Sequence, residues 1–464
     1  MYFKQIVKED LGCASYIVGC PNAGVCAVID PRLDMVDEIL SLADAKGMKV
    51  AAVIETHNHA DHISGHGEIA RRTGADIYVH EQAGVSYPHK TVKDGDELDF
   101  GVVKVRVIHT PGHRPEHIAL AVADTSRGED PWLVLTGDSL FIGDVARPDL
   151  AVSGDEGARL LYDSIFQRLL QLDDGVEVYP AHVAGSLCGR GMNAKTSSTI
   201  GFERKYNEAV VPRSREQFVR DINENLPQRP PNMHNIVERN RGDYAQLEMP
   251  MMPRPLEPHS FQREMESGAV VLDVRAPHAF AEGHIPGAIH VFLHGSSFPT
   301  RVGFVVSPES RLLLVVKDER DLYDAVHELA VVGYDRVVGY LADGMEAWQE
   351  ADLSVQMLGQ LSVEQVHDLR HNLRILDVRD QGEWNEGHIR GAMHLPYYAL
   401  EQHLREPDNE LEKLMDAPLA VTCASGQRST IACSLLQRHG FMQVFNVVGG
   451  MDAWKQAGFD FLTS

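Results

Sequence analysis

No apolar run in this chain reaches membrane-spanning length, and the stretch MYFKQIVKEDLGCASYIVG lacks the basic start and long apolar core of a secretory signal. Both absences make the cytoplasm the expected location and argue against a membrane partner. Positive charge is scarce as well: 43 Lys and Arg stand against 67 Asp and Glu, a formal net charge of −24. So acidic a chain is a poor nucleic-acid binder, and a site for an anionic ligand needs its own local cations or backbone donors. Cysteine is rare too. Six in 464 residues are too few for a disulfide scaffold, so an important thiol here is reactive rather than structural. Cys13, Cys20 and Cys26 fall in the apolar stretch CASYIVGCPNAGVCAVID and are expected in the core of the first two strands.

What is present begins with length. A chain of 464 residues with 44% hydrophobic residues predicts two or three globular domains. VVLDVRAPHAFAEGHIPGAIHV (270–291) returns as RILDVRDQGEWNEGHIRGAMHL (374–395), and ADGMEAWQEA (342–351) returns as VGGMDAWKQA (448–457). The carboxyl half is therefore two homologous modules, 257–355 and 359–464, after a first domain at 1–250. The proline-rich, polar stretch 226–258 reads as the connector, with a shorter joint at 354–359. In the first domain, apolar strands alternate with stretches of helical periodicity such as MVDEILSLADAKG, HGEIARRTG and GARLLYDSIFQRLLQL, an α/β pattern.

Four polar clusters share one context: VAAVIET runs into His57, VKVRVIHTPG into His113, WLVLTG into Asp138, and VEVYPA into His182. Strand ends of a layered α/β fold gather along one edge, and imidazole with carboxylate suits zinc or iron. The first cluster, ETHNHADH, adds His59, Asp61 and His62 within one turn. His66, His80, His89, His109 and His117 read instead as surface residues or as supports around the ligands.

THNHADH, TPGH, TGD and PAH, in this order, resemble the metallo-β-lactamase superfamily, which implies an αβ/βα sandwich. Two branches share the set. In hydrolases such as glyoxalase II it holds two metals. The resemblance would then place His57, His59 and His113 on one ion and Asp61, His62 and His182 on the other, with Asp138 bridging. The persulfide dioxygenases bind a single Fe(II), and the resemblance would place it on His57, His113 and Asp138, with His59, Asp61, His62 and His182 beside it. The flanks TGDSLFIGDVARPDL and HVAGSLCGRGMNAKTSSTIGFERKYN are similar to the dioxygenase branch. That resemblance implies a substrate-facing Arg147, whose other reading is a structural ion pair. Cys188, in GSLCGRG, reads as an inert loop thiol or as a sulfur acceptor near the metal.

In the last module, PLAVTCASGQRSTIACSLLQRHGF reads as strand, Cys423, polar loop and helix. That position favours a thiolate, and Arg428 adds positive charge. LDVR, GHI.GA, the CASGQR loop and GGM.AW resemble rhodanese, a sulfurtransferase, and the loop is one residue shorter than in phosphatases that resemble it. Cys433 is expected in the core. The preceding module has no cysteine between 250 and 357; Val316 or Lys317 stands at the nucleophile's place, so it is expected to be inactive, a spacer or an interface.

The whole chain thus resembles a persulfide dioxygenase–rhodanese fusion, in which the first rhodanese-type module lacks its cysteine. The resemblance implies one Fe(II), or alternatively zinc, per dioxygenase domain. The reaction expected is oxidation of a glutathione- or coenzyme A-type persulfide with dioxygen to sulfite, followed by sulfur transfer through Cys423 to give thiosulfate, in sulfide detoxification. A homo-oligomer is expected. The alternative is a two-metal thioester hydrolase of the glyoxalase II type with a sulfurtransferase tail.

Overall fold

A computed structural model describes the chain except residues 212–213, 225, 243–248, 408 and 464. Two compact units divide it: Met1–Met249 with Ala330–Gly333, and Pro250–Leu329 with Tyr334–Ser464. Among the described residues no helix is long and apolar enough to cross a membrane.

The first unit holds two six-stranded sheets. One takes its strands in chain order, from Tyr2–Lys8 and Cys13–Cys20 through Val25–Ile29, Lys49–Ile54 and Asp76–His80 to Lys90–Val92. The other runs Ser198–Thr199, Glu177–Pro180, Leu133–Gly137, Ile118–Asp124, Val103–His109, Glu97–Phe100. The period of two along a strand decides how they stack. Tyr16, Val18, Ala27, Ile29, Ala52 and Ile54 of the first sheet pack against Val103, Val105, Ile118, Leu120, Leu133 and Leu135 of the second. Their alternates face outward onto helices. Ile17, Val28 and Val53 meet Val36, Ile39 and Ile69, while Ala119, Val134 and Val178 meet Leu161, Ile165 and Phe218. The result is the expected αβ/βα sandwich. Each of the larger fully buried apolar side chains contributes roughly 2 kcal/mol before entropy is counted.

The stretch read as connector is partly folded into this unit. Met233–Arg241 is a helix whose Met233 and Val237 pack against Ala60, because an apolar stripe runs through its polar composition. Residues 243–248 of that stretch lie outside the described residues.

The second unit contains two parallel five-stranded sheets of one topology. Their orders are Pro255–Leu256, Val337–Leu341, Leu312–Val315, Val270–Asp273, Ile289–His290 and Gly359–Leu361, Val444–Val447, Leu419–Thr422, Arg374–Asp377, Met393–His394. The repeated motifs are matching structural clamps. Arg275 chelates Asp273 and donates to the Gly283 carbonyl, and Arg379 does the same to Asp377 and Gly387. Trp348 and Trp454 donate their indole N–H to the carbonyls of Ser354 and Asp460. Asp273 pairs in register with Val315, and Asp377 with Thr422. Val316 is therefore the structural counterpart of Cys423, and the choice between Val316 and Lys317 is resolved.

Candidate metal centre and cysteine loop

In the first unit, Val103–His109 and Leu133–Gly137 are both antiparallel to Ile118–Asp124, and Glu177–Pro180 is parallel to Leu133–Gly137. These three strands end at one edge, so His113, Asp138 and His182, which follow them, emerge together. Lys49–Ile54 of the facing sheet delivers His57 to the same place. His57, His113 and Asp138 present donor atoms within 4.8 Å of one another, all buried.

Each of these donors is oriented by a hydrogen bond on its far side. Thr56 gives its hydroxyl proton to Asp30, so its oxygen is left to accept from His57 Nδ1 at 2.9 Å. His113 Nδ1 donates to the Arg147 carbonyl at 2.9 Å. Both rings therefore turn Nε2 inward. Asp138 Oδ1 is held by His182 Nδ1 at 2.7 Å, while among the described residues Asp138 Oδ2 and His57 Nε2 have no hydrogen-bond partner. Buried polar atoms without partners are rare, and a shared cation satisfies them. Burial drives the pKa of His57 well down, helped by the neighbouring His59 and His113, and burial lowers that of His113 against the pull of Asp138. Two neutral imidazoles and one carboxylate are a fit donor set for a divalent transition metal. His117, expected only as a support, accepts the Asp138 backbone N–H at 2.8 Å. Gly137 of TGD sits at φ +52°, where a Cβ would stand 2.5 Å from His117 Nε2; only glycine fits.

His59 does not join this set. Its Nε2 lies 3.2 Å from both Asp30 Oδ1 and Glu55 Oε2. Burial opposes a charge there, but the two carboxylates outweigh it and hold His59 well above its ordinary pKa. Asp61, His62 and His182 form a second group with an unexpected member, Cys13. Cys13 Sγ is 3.5 Å from Asp61 Oδ2, 3.7 Å from His62 Nδ1 and 3.6 Å from His182 Nε2. Cys20 and Cys26 are buried apolar-core residues as expected; Cys13 opens its strand toward the site instead. Its apolar flanks gave no sign of this, because its neighbours come from loops about 50 and 170 residues away.

Arg147 is buried, and its guanidinium chelates Asp149 at 2.7 and 3.0 Å. Of the two readings of Arg147, this geometry is that of the structural ion pair, and its carbonyl is what meets His113. Cys188 is buried against Phe141, Ala146 and Met192, within 4.8 Å of donor atoms of Asp138 and His182. Burial pushes the pKa of its thiol well up. Asn240, in the stretch read as connector, donates to the carbonyls of His59 and His62 at 3.0 and 2.8 Å and accepts from the Ser64 N–H. It pins the HNHADH loop, and no local pattern marks it. A cavity of about 660 Å³ adjoins this loop, lined by Ala60, Arg114, Glu116, Arg229 and Arg241 among others. Arg114 is paired with Glu116 at 2.7 Å, whereas among the described residues Arg229 and Arg241 have longer ion pairs, 3.7 and 3.5 Å.

In the second unit, Cys423 sits between Leu419–Thr422 and the helix Gln427–Arg438. Its Sγ accepts the Gly426 N–H at 3.1 Å and lies 3.4 Å from Ser429 Oγ. Arg428 does not face the thiol as a free cation. Glu383 chelates it at 2.6 and 2.7 Å, with Asp380 at 3.2 Å. Burial opposes its charge, but Glu383 holds its pKa above the ordinary value. Cys433 is fully buried in the helix, as expected.

Metal ligands at one edge of an αβ/βα sandwich, followed by two sheets built on LDVR clamps, define the class. Residues 9–182 match the metallo-beta-lactamase superfamily, and 257–351 and 362–457 each match the rhodanese-like domain. The chain belongs to the metallo-beta-lactamase superfamily through its first domain and carries a tandem of rhodanese domains after it. A solved metallo-beta-lactamase from Staphylococcus aureus subsp. aureus COL is 29% identical with a TM-score of 0.66, over 73% of this chain and 98% of that one. The mitochondrial persulfide dioxygenase ETHE1 of Homo sapiens is 28% identical over 47% of this chain and 80% of its own. A hydroxyacylglutathione hydrolase of Polaromonas sp. is 34% identical over 36% of this chain and 61% of its own.

Proposed function

We propose that the first domain is a non-haem Fe(II) persulfide dioxygenase and that Cys423 is a sulfur carrier working on its product. The observation that carries this reading is the position of His59. Its Nε2 faces Asp30 and Glu55, and the donor atoms that gather within 4.8 Å are those of His57, His113 and Asp138, two histidines and one carboxylate. Those three residues would hold the ion and leave it open to substrate. Iron, when bound, supplies the electron chemistry with dioxygen that side chains lack.

The chain's own residues do the rest. The Thr56 and Arg147 oxygens hold the two rings in place, and His182 holds one oxygen of Asp138 so that the other faces the metal. Burial of all three ligands keeps bulk water out. A negatively charged thiol carrier of glutathione or coenzyme A type rests in the adjoining cavity, where Arg229 and Arg241 meet its carboxylates or phosphates. Overall, persulfide, dioxygen and water give thiol, sulfite and two protons.

A second molecule of the thiol persulfide loads Cys423. The Cys423 thiolate takes the outer sulfur while the carrier thiol leaves with the electron pair of the broken S–S bond. The Cys423 persulfide then passes that sulfur to sulfite. The sulfite sulfur forms the new S–S bond, the Cys423 S–S bond breaks, and the pair of electrons leaves on the Cys423 thiolate, giving thiosulfate. The Gly426 N–H receives that charge.

A second reading has its own support. Cys13, Asp61, His62 and His182 gather as a further donor group, and the hydroxyacylglutathione hydrolase similarity fits two-metal thioester hydrolysis. One comparison separates the two: oxygen uptake with glutathione persulfide against hydrolysis of an acyl-glutathione. The dioxygenase reading expects rapid uptake by iron-loaded protein and negligible thioester cleavage. Cleavage without uptake overturns it.

A further inference from the structure

The cysteine-less rhodanese module carries a buried guanidinium at the cysteine loop of the other. Arg301 lies on its helix Phe298–Val305 and is 9% exposed. It donates to Gln427 Oε1 at 3.0 Å and to Ser296 Oγ at 2.8 Å, both neutral. Among the described residues no carboxylate pairs with it. Gln427 belongs to CASGQR, four residues after Cys423. Gly295 makes the approach possible, since a Cβ there would stand 3.0 Å from Gln427 Oε1 and 3.4 Å from Arg301 Nη1.

The two modules are fixed to each other around this contact. The His290 N–H donates to Ser434 Oγ at 3.0 Å, and Phe304 packs on Tyr397 and Tyr398 at 5.8 and 5.3 Å between ring centres. A cavity of about 630 Å³ touches Ser425, Gly426 and Gln427 on one side and Pro277, His278 and Ala281 of the cysteine-less module on the other. A buried cation normally has its charge matched by an acid. Here burial is the largest influence on the guanidinium and pulls its pKa down; the titratable groups that also act on it are Tyr397, Arg428 and Cys423. Arg428, the loop's own cation, is already matched by Glu383 and Asp380.

We propose that Arg301 is the anion-binding residue of the Cys423 site, supplied by the cysteine-less module, and that it holds the oxygens of a small oxyanion of sulfur, sulfite or the sulfonate end of thiosulfate. The module without a thiol is thus half of the active site. This assignment rests on Cys423 being the sulfur carrier. With thiosulfate as donor, the thiolate attacks the sulfane sulfur, the S–S bond of thiosulfate breaks, and sulfite leaves with the electron pair beside the guanidinium.

The test is alkylation of Cys423 in the full chain, read by peptide mass spectrometry, with anionic iodoacetate and neutral iodoacetamide. Both reagents lose iodide to the same thiolate and differ only in charge. Arg301→Gln should lower the iodoacetate-to-iodoacetamide rate ratio about tenfold, the size of one charged hydrogen bond, and Arg301→Lys should restore most of it. Thiosulfate should shield Cys423 from iodoacetamide in the wild type, and about tenfold more of it should be needed in Arg301→Gln. A merely structural role changes both alkylation rates together and leaves their ratio fixed. An unchanged ratio with unchanged shielding overturns the proposal. The alkylation ratio needs no sulfur transfer, so it stands apart from the carrier reading. That reading fails separately if Cys423→Ser still transfers sulfur from thiosulfate to a thiol.

Discussion

His113 Nδ1 donates to the Arg147 carbonyl oxygen at 2.9 Å, while the Arg147 guanidinium turns to chelate Asp149. One residue thus orients a ligand of the candidate metal centre with its backbone and anchors its own loop with its side chain. The charge is internal to the fold, so its removal should be felt in stability. Arg147→Met leaves the partly buried Asp149 without its chelating partner and is expected to cost about 3 kcal/mol. The KM for the anionic thiol substrate should stay within about twofold, well under 1 kcal/mol of binding. Chemical denaturation beside steady-state kinetics checks both; a large rise in KM without loss of stability would return Arg147 to the substrate.

Asn240 makes three hydrogen bonds to the loop that carries His59 and His62. Asn240→Ala leaves two buried carbonyls and one N–H without partners, at about 1–3 kcal/mol for each group that finds no water. The loop should loosen and hold metal roughly 10-fold less tightly, as loss of an outer partner does elsewhere. Competition with a chelator, followed by metal analysis, measures the effect.

The orphaned His57 Nε2 and Asp138 Oδ2 make the metal part of the fold. Stripping it should lower the melting temperature of the first unit and leave the second unit's transition in place, since only the folded site binds the ion. His113→Ala with Asp138→Ala should show that low value with or without added iron and should take up no oxygen. Sulfite output from that double variant would mean the metal centre is not the site of oxidation.

Cys423→Ser should leave oxygen uptake intact and move the product from thiosulfate to sulfite, because the carrier thiol is in the second unit and the metal ligands are in the first. Thiosulfate formed enzymatically by this variant would point to another thiol.

The imidazole of His290 is fully buried, and burial, opposed in part by Asp273, pushes its pKa down to about 4 from 6.5. Between these values the unfolded chain binds the proton and the folded chain does not. Stability therefore rises with pH across this window and is lost as pH falls from 6.5 toward 4. The loss from this group should be about 2 kcal/mol by pH 5. Denaturation of the second unit at pH 7 and pH 5, in wild type and His290→Gln, should show a smaller pH difference in the variant.

Much of this molecule is legible along the chain. The alternation of Tyr16, Ile17 and Val18 between two cores, the ligands at strand ends and the doubled LDVR clamps all depend on spacing within a few residues. Local periodicity and motif spacing determine them. The sequence by itself determined the layered α/β class, the donor types and the missing thiol at Val316. Tertiary structure decided which charges are free. His59 meets Asp30 and Glu55, Arg428 meets Glu383 from 45 residues away, and Cys13 is drawn to His182 from 169 away, while Arg301 meets Gln427 across 126 and, among the described residues, no acid. A charge acts on whatever lies within a few ångströms in space, and only the packed fold brings such distant segments that close.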